Sequence, residues 1–385
     1  MLSVLALFLF ASSVILALWL VRVAWWRWSG MQLDVDVGHV CDERLRRVAE
    51  RLRALRYVAP VWTRLWLIGS HAHTFYAVLL RRTAHLDPQL KWRSFNVQVS
   101  EGGTVRVDEI GDDAQPAVVV VVVPGIAGSS AQHYVRSLVA HIRDVLGCHV
   151  AVFNHRGCGT SELTSPHLFT FGCPDDLAHA VRAIHKRYPS ARKAIVGCSL
   201  GANIAMNYLA LSEAERGVPI AAGVSLCQAF DARRSHAALS PLYARILLKK
   251  MLKLVSAHGD VLRRHGVDVE RVLESRDGFE FDTRFTLPLH KRRWQSVDEY
   301  YDDCSCLPRI DRIRVPTLLF NALDDPLIPV ELVDEARRSS ASREHLMFAT
   351  THVGGHLGHA VGFVLPTHLS FSDAVIAEFL RQVLD

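Results

Sequence analysis

The chain has 385 residues, half of them hydrophobic (50%), which is enough apolar material for one large core with accessory segments. Its formal charge of +5 is modest for this length, and the absence of a Lys/Arg tract interleaved with aromatic residues argues against nucleic-acid binding. Eight cysteines without Cys-x-x-Cys spacing argue against a disulfide scaffold and against a structural zinc site.

The chain begins with a long uncharged run. No residue from Met1 to Val21 carries a side-chain charge, and residues 2–21 as a helix would rise ~30 Å, about the thickness of a bilayer core. The run is followed at once by interface residues: Arg22, Trp25, Trp26, Arg27 and Trp28. No small-x-small cleavage site stands out, so residues 1–28 are predicted to be a single transmembrane anchor with its interface rather than a cleaved signal peptide. Positive charge after the span favours a cytoplasmic domain.

Residues 29–92 are predicted to form a juxtamembrane helical segment. Within them, Asp42 to Arg56 is rich in arginine and places apolar residues at helical spacing: Leu45, Val48, Leu52 and Leu55. Such an amphipathic helix either packs on the main domain or lies on a membrane surface, and the sequence leaves both possibilities open.

The main domain is predicted over residues 93–385. Phe95 to Val99 and Thr104 to Asp108 bracket Ser-Glu-Gly-Gly, which predicts an antiparallel hairpin. Strand patterns then alternate with helix patterns: strands 117–123, 150–153, 194–196 and 220–226, and helices 132–145, 174–188 and 202–211. This alternation predicts an α/β fold, with a mostly parallel sheet and helices on both faces.

The alternation is interrupted by a predicted helical insertion over about residues 228–313, and strands resume at 317–320 and 346–349. An insertion at the C-terminal ends of sheet strands would form a cap over a site there. One cap segment, residues 232–264, has eight Lys/Arg and one acidic residue, with Arg245, Lys249 and Lys253 four apart on one face. A solvated helix face and a surface for anionic lipid both fit this pattern.

The strongest motif is Gly197-Cys198-Ser199-Leu200-Gly201, at the junction between the 194–196 strand and the 202–211 helix. A Gly-x-Ser-x-Gly sequence at such a junction predicts a sharp turn that lifts the serine hydroxyl out of the sheet. A side chain at either glycine would clash in so tight a turn. Ser199 is therefore the candidate nucleophile.

A serine nucleophile needs a base and a carboxylate that orients the base. Two adjacent acids, Asp324 and Asp325, follow one late strand, and His356 follows the next, so all three lie at C-terminal strand ends. The proline after Asp325 restrains that residue to an extended conformation, which favours it as the acid, with Asp324 as the alternative. Two preceding glycines let the His356 imidazole approach the serine, which favours it over His352 and His359.

An oxyanion formed at Ser199 would need two N–H donors. The candidates are the N–H of Leu200, which opens the predicted helix, and the N–H of Ile126, in the turn after the valine strand. The sequence contains no Gly-x-x-x-x-Gly-Lys phosphate loop, no His-Glu-x-x-His and no Gly-x-Gly-x-x-Gly that opens a helix. Serine catalysis without a cofactor or a metal is the simplest interpretation.

Six motifs together carry a family resemblance: Val-Pro-Gly-Ile-Ala at 123–127, Phe-Asn-His-Arg-Gly at 153–157, Glu-Leu-Thr-Ser-Pro at 162–166, Gly-Cys-Ser-Leu-Gly-Ala-Asn at 197–203, Asn-Ala-Leu-Asp-Asp-Pro-Leu at 321–327 and Gly-Gly-His-Leu-Gly at 354–358. They resemble the membrane-anchored α/β-hydrolase-domain family related to bacterial YheT-like esterases. Within that family, they most resemble the subfamily of α/β-hydrolase domain-containing protein 2, which comprises acylglycerol lipases. The resemblance covers about residues 90–365. It departs from the family pattern in the cap and at Ser70-His71-Ala72-His73-Thr74.

The resemblance implies an α/β-hydrolase fold with Ser199 as nucleophile, Asp325 as acid and His356 as base. It also implies hydrolysis of monoacylglycerols and similar small lipid esters, and a steroid-regulated role. The expected protein is thus a membrane-bound serine esterase or lipase that works through an acyl-enzyme on a substrate drawn from the bilayer. The alternatives are a phospholipase or acyltransferase on the same triad, and a lipid or steroid receptor that uses the hydrolase fold as a binding pocket.

Overall fold

The computed structural model describes residues 31–37, 43–59, 69–81, 83, 86, 90–362 and 366–385, together with residues 13, 14, 16, 17 and 19. Within this described part of the chain, every helix is too short or too polar to cross a bilayer. The predicted transmembrane run, residues 2–21, lies mostly outside the described residues and stays a prediction.

The described residues form the following strands, in chain order: β1 Met31–Gln32, β2 Asp34–Val37, β3 Arg56–Tyr57, β4 Arg93–Gln98, β5 Thr104–Ile110, β6 Val118–Val123, β7 His149–Asn154, β8 Arg192–Cys198, β9 Ala222–Leu226, β10 Thr317–Ala322, β11 Leu346–Thr351, β12 Ala360–Gly362 and β13 Pro366–Ser370.

The α-helices of the same residues are α1 Glu43–Ala54, α2 Gly69–Phe75, α3 His133–Leu146, α4 Asp175–Arg187, α5 Leu200–Ala210, α6 Glu213–Arg216, α7 Ala232–Ala238, α8 Pro241–Ala257, α9 Gly259–Arg264, α10 Val269–Leu273, α11 Gly278–Phe281, α12 Leu287–Leu289, α13 Val297–Cys304, α14 Val330–Ser340 and α15 Phe371–Leu384. Two π-helical turns, Tyr76–Leu80 and Asp282–Thr286, and two 3₁₀ turns, Ser100–Gly102 and Leu307–Arg312, complete the regular structure.

Nine strands form one central sheet in the order β2-β11-β10-β9-β8-β6-β7-β5-β4. The six neighbouring strands from β11 to β7 in this order pair in parallel, while β5 and β4 form an antiparallel hairpin at one edge and β2 pairs antiparallel with β11 at the other. The mostly parallel sheet and the hairpin are confirmed. Strand β2 was not predicted, and it gives the chain before residue 93 a place in the main sheet.

Both faces of the sheet are buried, as the valine strand β6 shows. Val120 and Val122 contribute to a core shared with α3 and α15, whereas Val119, Val121 and Val123 contribute to the opposite core, shared with α4, α5 and α14. A strand covered by helices on both sides needs apolar residues at every position. This explains the uninterrupted run of valines.

The arginine-rich helix α1 packs on the main domain. Its apolar residues Leu45, Val48 and Leu52 are buried in the core that also holds α3 and α15. Its arginines at positions 44, 46, 47 and 51 are exposed. Packing on the main domain is therefore the interpretation that the structure supports for the apolar face.

The cap is helical, as predicted. Every residue between β9 and β10 is described, and this stretch contains helices α7 to α13 with one π-helical and one 3₁₀ turn. A small apolar core holds the cap on the main domain; it includes Leu248, Val255 and Phe281 of the cap, together with Leu163 and Leu168. The cap begins directly after the C-terminal end of β9. The predicted site residues also lie at the C-terminal ends of the strands.

Candidate active site

Ser199 lies in a strained turn between β8 and α5. Its φ of 56° and ψ of −123° fall in a region that non-glycine residues rarely adopt. The Ser199 N–H donates to the carbonyl of Leu226 on the neighbouring strand at 2.8 Å, and this hydrogen bond helps to hold the turn. A turn of this kind exposes the serine hydroxyl above the sheet.

The two glycines of the motif are required by space. A Cβ at Gly197 would lie 2.4 Å from the Cα of Ala202, and a Cβ at Gly201 would lie 2.2 Å from the carbonyl oxygen of Val123. Both neighbours are backbone atoms, which cannot rotate away as a side chain can. The predicted clash at either position is confirmed by this geometry.

We expect Gly201→Ala to lower the free energy of unfolding by about 3 kcal/mol, because strand β6 would have to shift to admit a methyl group. The matched control is Gly147→Ala, at a left-handed glycine with φ of 59° and open space around it. That change should cost about 1 kcal/mol of backbone strain. Chemical denaturation of the two variants measures the difference, and equal losses would contradict the tight contact at Gly201.

The structure brings Ser199, His356 and Asp325 into one hydrogen-bonded row. Ser199 Oγ lies 2.7 Å from His356 Nε2, and His356 Nδ1 lies 2.7 Å from Asp325 Oδ2. The Asp325 side chain is fully buried, and its Oδ1 accepts the Leu327 N–H at 2.9 Å. Two hydrogen bonds thus orient the carboxylate toward the imidazole.

The other acid, Asp324, contacts the backbone of the histidine loop instead. Its Oδ1 accepts the N–H of Gly355 at 2.8 Å. Burial, reinforced by the neighbouring charge of Asp325, raises the pKa of Asp324 to about 6. The two other histidines considered lie elsewhere: His352 is exposed, and His359 is buried against the ring of Phe320.

Three consecutive backbone N–H groups of the histidine loop, at residues 355 to 357, each donate to a side chain. The acceptors are Asp324 Oδ1 at 2.8 Å, Thr74 Oγ1 at 2.9 Å and Cys227 Sγ at 3.3 Å, in that order. The loop needs such support, because Leu357 has a left-handed φ of 62°. The position of the His356 imidazole therefore depends on three separate segments of the chain.

Thr74 is a site residue for which the sequence patterns indicated no role. It lies in α2, and its hydroxyl also donates to the carbonyl of Ser70 at 2.8 Å. The same helix contacts the cap, where His71 Nδ1 lies 2.7 Å from the hydroxyl of Tyr243. In the sequence, the segment was distinguished only by its departure from the family pattern. A lone threonine whose partner is 282 positions away leaves no local signal.

We expect Thr74→Val to lower the free energy of unfolding by about 1–3 kcal/mol, because the buried N–H of His356 would lose its acceptor. A displaced imidazole should also reduce kcat by about tenfold, with a smaller effect on KM. Thr74→Ser keeps the hydroxyl and should retain most of the activity. Steady-state kinetics on a soluble ester would show this split, and equal kcat values for the two variants would contradict it.

The two candidate oxyanion donors both border the serine. Leu200 is the first residue of α5, so its N–H has no acceptor within the helix. A Cβ at Gly125 would lie 3.1 Å from the Cβ of Ser199, so the turn that carries Ile126 runs directly beside Ser199. The hydroxyl of Tyr134 accepts the Gly125 N–H at 2.8 Å and supports that turn.

Ser199 and His356 line a cavity of about 380 Å³ between the body of the domain and the cap. Its walls are mostly apolar and come from both sides, including Phe75, Val78, Phe169, Phe171, Ile246, Leu247, Met251 and Ile328. Cavities of this size and character bind small apolar molecules. The cavity suits a lipid chain better than a polar metabolite.

Two groups of described side chains bring potential metal-ligating atoms within 4.8 Å of one another. One is Cys227, Asp325 and His356, in which the histidine and the acid are already hydrogen-bonded in the row with Ser199. The other, in a separate cavity beyond Phe169, is Glu101, His167 and His290. There His167 Nε2 lies 2.9 Å from the Glu101 carboxylate, and His167 Nδ1 shares a hydrogen bond with His290 Nε2 at 3.4 Å.

Comparison with known proteins agrees with this architecture. The family model of the alpha/beta hydrolase fold matches residues 118–252. The monoacylglycerol lipase ABHD2 of Homo sapiens is 32% identical over 352 residues, which cover 85% of this chain and 80% of that protein. The chain belongs to the ABHD2-like family of α/β hydrolases. The predicted family is thereby confirmed.

Two further relatives and one solved structure are also similar to this chain. Abhydrolase domain-containing protein 2 of Drosophila melanogaster is 28% identical, covering 88% of this chain and 87% of that protein. Phospholipase ABHD3 of Homo sapiens is 24% identical, with 80% and 76% covered. A solved esterase structure from Pyrococcus furiosus, 18% identical, superposes with a TM-score of 0.51 over 86% of this chain and all of that one (100%). Family and fold together support a lipase or esterase function.

Proposed function

We propose that this ABHD2-like chain is a serine ester hydrolase that cleaves acylglycerols, monoacylglycerols in particular, through an acyl-enzyme on Ser199. The observation that carries the proposal is the row Ser199–His356–Asp325, with both contacts at 2.7 Å, at an apolar cavity. The substrate class is supported by the relatives named monoacylglycerol lipase.

In this mechanism, His356 Nε2 takes the proton of Ser199 Oγ as the oxygen attacks the ester carbonyl. Asp325 keeps the Nδ1–H tautomer of the imidazole and stabilises the imidazolium that forms. The N–H groups of Leu200 and Ile126 stabilise the negative charge on the carbonyl oxygen. His356 then protonates the departing alcohol, and it activates the water that releases the fatty acid.

Membrane attachment through residues 2–21 completes the proposal, and it is supported by the uncharged run and the interface residues after it. In strand β2, Asp34 pairs with Thr350, one residue before the end of β11. The described chain therefore enters the sheet beside the C-terminal end of β11, where the histidine loop begins. An anchor placed before residue 31 would join the described domain near this end of the sheet. The cationic residues after the span favour the cytoplasmic side.

The experiment is product analysis with the purified full chain on two lipids of the same acyl composition, a monoacylglycerol and a diacyl phospholipid. We expect free fatty acid and glycerol from the first lipid at a rate well above that of lysophospholipid formation from the second. The opposite preference would favour a phospholipase, the activity named for the human relative ABHD3. Diacylglycerol formed from monoacylglycerol alone would indicate acyl transfer, since no water then enters the product.

A further inference from the structure

Polar residues of the cap line part of the substrate cavity. Five hydrogen-bonding side chains line the cavity there: His236, Asp282, Thr286, Tyr300 and Tyr301. They are close to one another, since the Tyr301 ring lies 5.3 Å from that of Tyr300 and 5.8 Å from that of His236. We call this group the polar end. It contrasts with the apolar walls described above.

The centre of the polar end is the carboxyl group of Asp282. Thr286 Oγ1 donates to its Oδ1 at 2.7 Å, and the hydroxyl of Tyr301 donates to its Oδ2 at 2.8 Å. Asp282 is 7% exposed, and no described Lys, Arg or His forms an ion pair with it. Each carboxylate oxygen has a second lone pair, so the group can accept further hydrogen bonds.

A donor is available beside this acceptor. The hydroxyl of Tyr300 accepts the N–H of Phe171 at 2.7 Å, which leaves its own proton free to be donated. The carbonyl of Phe171 in turn accepts a hydrogen bond from Asn203, one helical turn beyond Ser199 on α5. The polar end is thus linked by direct contacts to the helix that carries the nucleophile.

A buried carboxylate without a cation is a costly feature for stability alone. Burial raises the pKa of Asp282 to about 6, although two hydroxyl groups donate to it. An apolar side chain or an amide would fill the same space at lower cost. Such a loss of stability is typical of binding sites, where a buried polar group finds its hydrogen-bonding partner only when the ligand binds.

We infer that the polar end binds a hydroxyl group of the lipid substrate, with Asp282 as acceptor and Tyr300 as donor. This inference rests on the proposed ester hydrolysis at Ser199 and adds a determinant of substrate choice to it. The hydroxyl can belong to the glycerol of a monoacylglycerol or to a hydroxylated acyl chain. Both present the same chemistry, a neutral hydroxyl group. It gives up its hydrogen bonds to water and gains hydrogen bonds with a carboxylate in an apolar cavity. A site built for such a hydroxyl discriminates against analogues that lack it.

The test compares three esters of matched acyl length: a monoacylglycerol, the methyl ester of the same acid, and the methyl ester of a hydroxylated acid. For Asp282→Asn, we expect at least a tenfold loss in kcat/KM on one hydroxyl-bearing ester and less than a twofold change on the plain methyl ester. The ester that suffers the loss identifies the source of the hydroxyl. Asp298→Asn, at an exposed acid of the same cap, is the matched control. Equal losses on all three esters, or none, would overturn the inference.

A stability measurement separates ligand binding from folding. The raised pKa means that Asp282 is protonated in the folded protein at pH 5 and ionised, at a cost, at pH 8. Burial lowers the pKa of His236 and raises those of Tyr300 and Tyr301, and these three groups are the same in wild type and variant. The Tm of Asp282→Asn, relative to wild type, should therefore be higher at pH 8 than at pH 5. A relative Tm that falls at pH 8 would show that the charge supports the fold and would overturn the inference.

Failure of the proposed function has a different signature. If Ser199 does not carry out ester hydrolysis, Ser199→Ala retains the wild-type rate on all three esters. If only the inference fails, Ser199→Ala removes activity on every ester and Asp282→Asn shows no preference among them.

Discussion

Replacing Ser199 with alanine is expected to reduce kcat for ester hydrolysis by roughly 10⁴- to 10⁶-fold, because the change removes the oxygen that forms the acyl-enzyme. The imidazole at 2.7 Å from Ser199 Oγ would have no hydroxyl to deprotonate. The strained backbone of the turn would persist, since alanine and serine have the same backbone preferences. The variant should therefore fold normally, and its loss of activity should come from the missing hydroxyl group and not from unfolding.

Two measurements check this prediction. Steady-state hydrolysis of a monoacylglycerol gives the change in kcat, and a fluorophosphonate probe reports directly on an activated serine. Ser256→Ala, on the exposed side of α8, is the control and should be labelled like wild type. Undiminished labelling of Ser199→Ala would mean that the probe reacts at another residue and that the row of Ser199, His356 and Asp325 is not the reactive centre.

Asp325→Asn should reduce kcat by roughly 10⁴-fold, whereas Asp324→Asn should reduce it by less than about tenfold. An amide at 325 could present its N–H₂ to His356 Nδ1 and so favour the wrong tautomer, in which Nε2 carries the proton and cannot accept one from the serine. An amide oxygen at 324 can still accept the Gly355 N–H, which keeps the histidine loop in place.

The pair is a matched comparison, because both variants make the same chemical change at adjacent positions. Single-turnover kinetics with a chromogenic ester would give the acylation rate for each, and circular dichroism would establish that both are folded. A larger loss from Asp324→Asn than from Asp325→Asn would assign the orienting role to Asp324. That was the alternative which the sequence alone left open.

The features that could be predicted from the sequence depend on short-range forces. The serine turn is specified by five consecutive residues. Its two glycines cannot carry side chains, because backbone atoms a few positions away or on the adjacent strand occupy the space. The sequence signals for the valine strand and for the hairpin around Ser100 are equally local. The proline after Asp325 favoured the acid that the structure places against His356.

Long-range features were not accessible in the same way. Strand β2 is four residues long, and its partner β11 is more than 300 positions further along the chain. Its alternating acids and valines give a weak signal, because so short an edge strand is stabilised by its neighbour and not by its own propensity. Thr74 and Cys227 support the histidine loop by hydrogen bonds whose partners are 282 and 130 positions away.

The sequence by itself determined the alternating α/β plan, the helical cap, the family, and the order of serine, acid and histidine. These follow from periodicity, turn chemistry and short motifs, which act within a few residues or repeat along the chain. Only the tertiary structure decided which aspartate contacts the imidazole, which side chains hold the histidine loop, and that the cavity has a polar end at Asp282. These depend on distances between groups far apart in sequence, and such distances are set when the sheet, the N-terminal segment and the cap pack together.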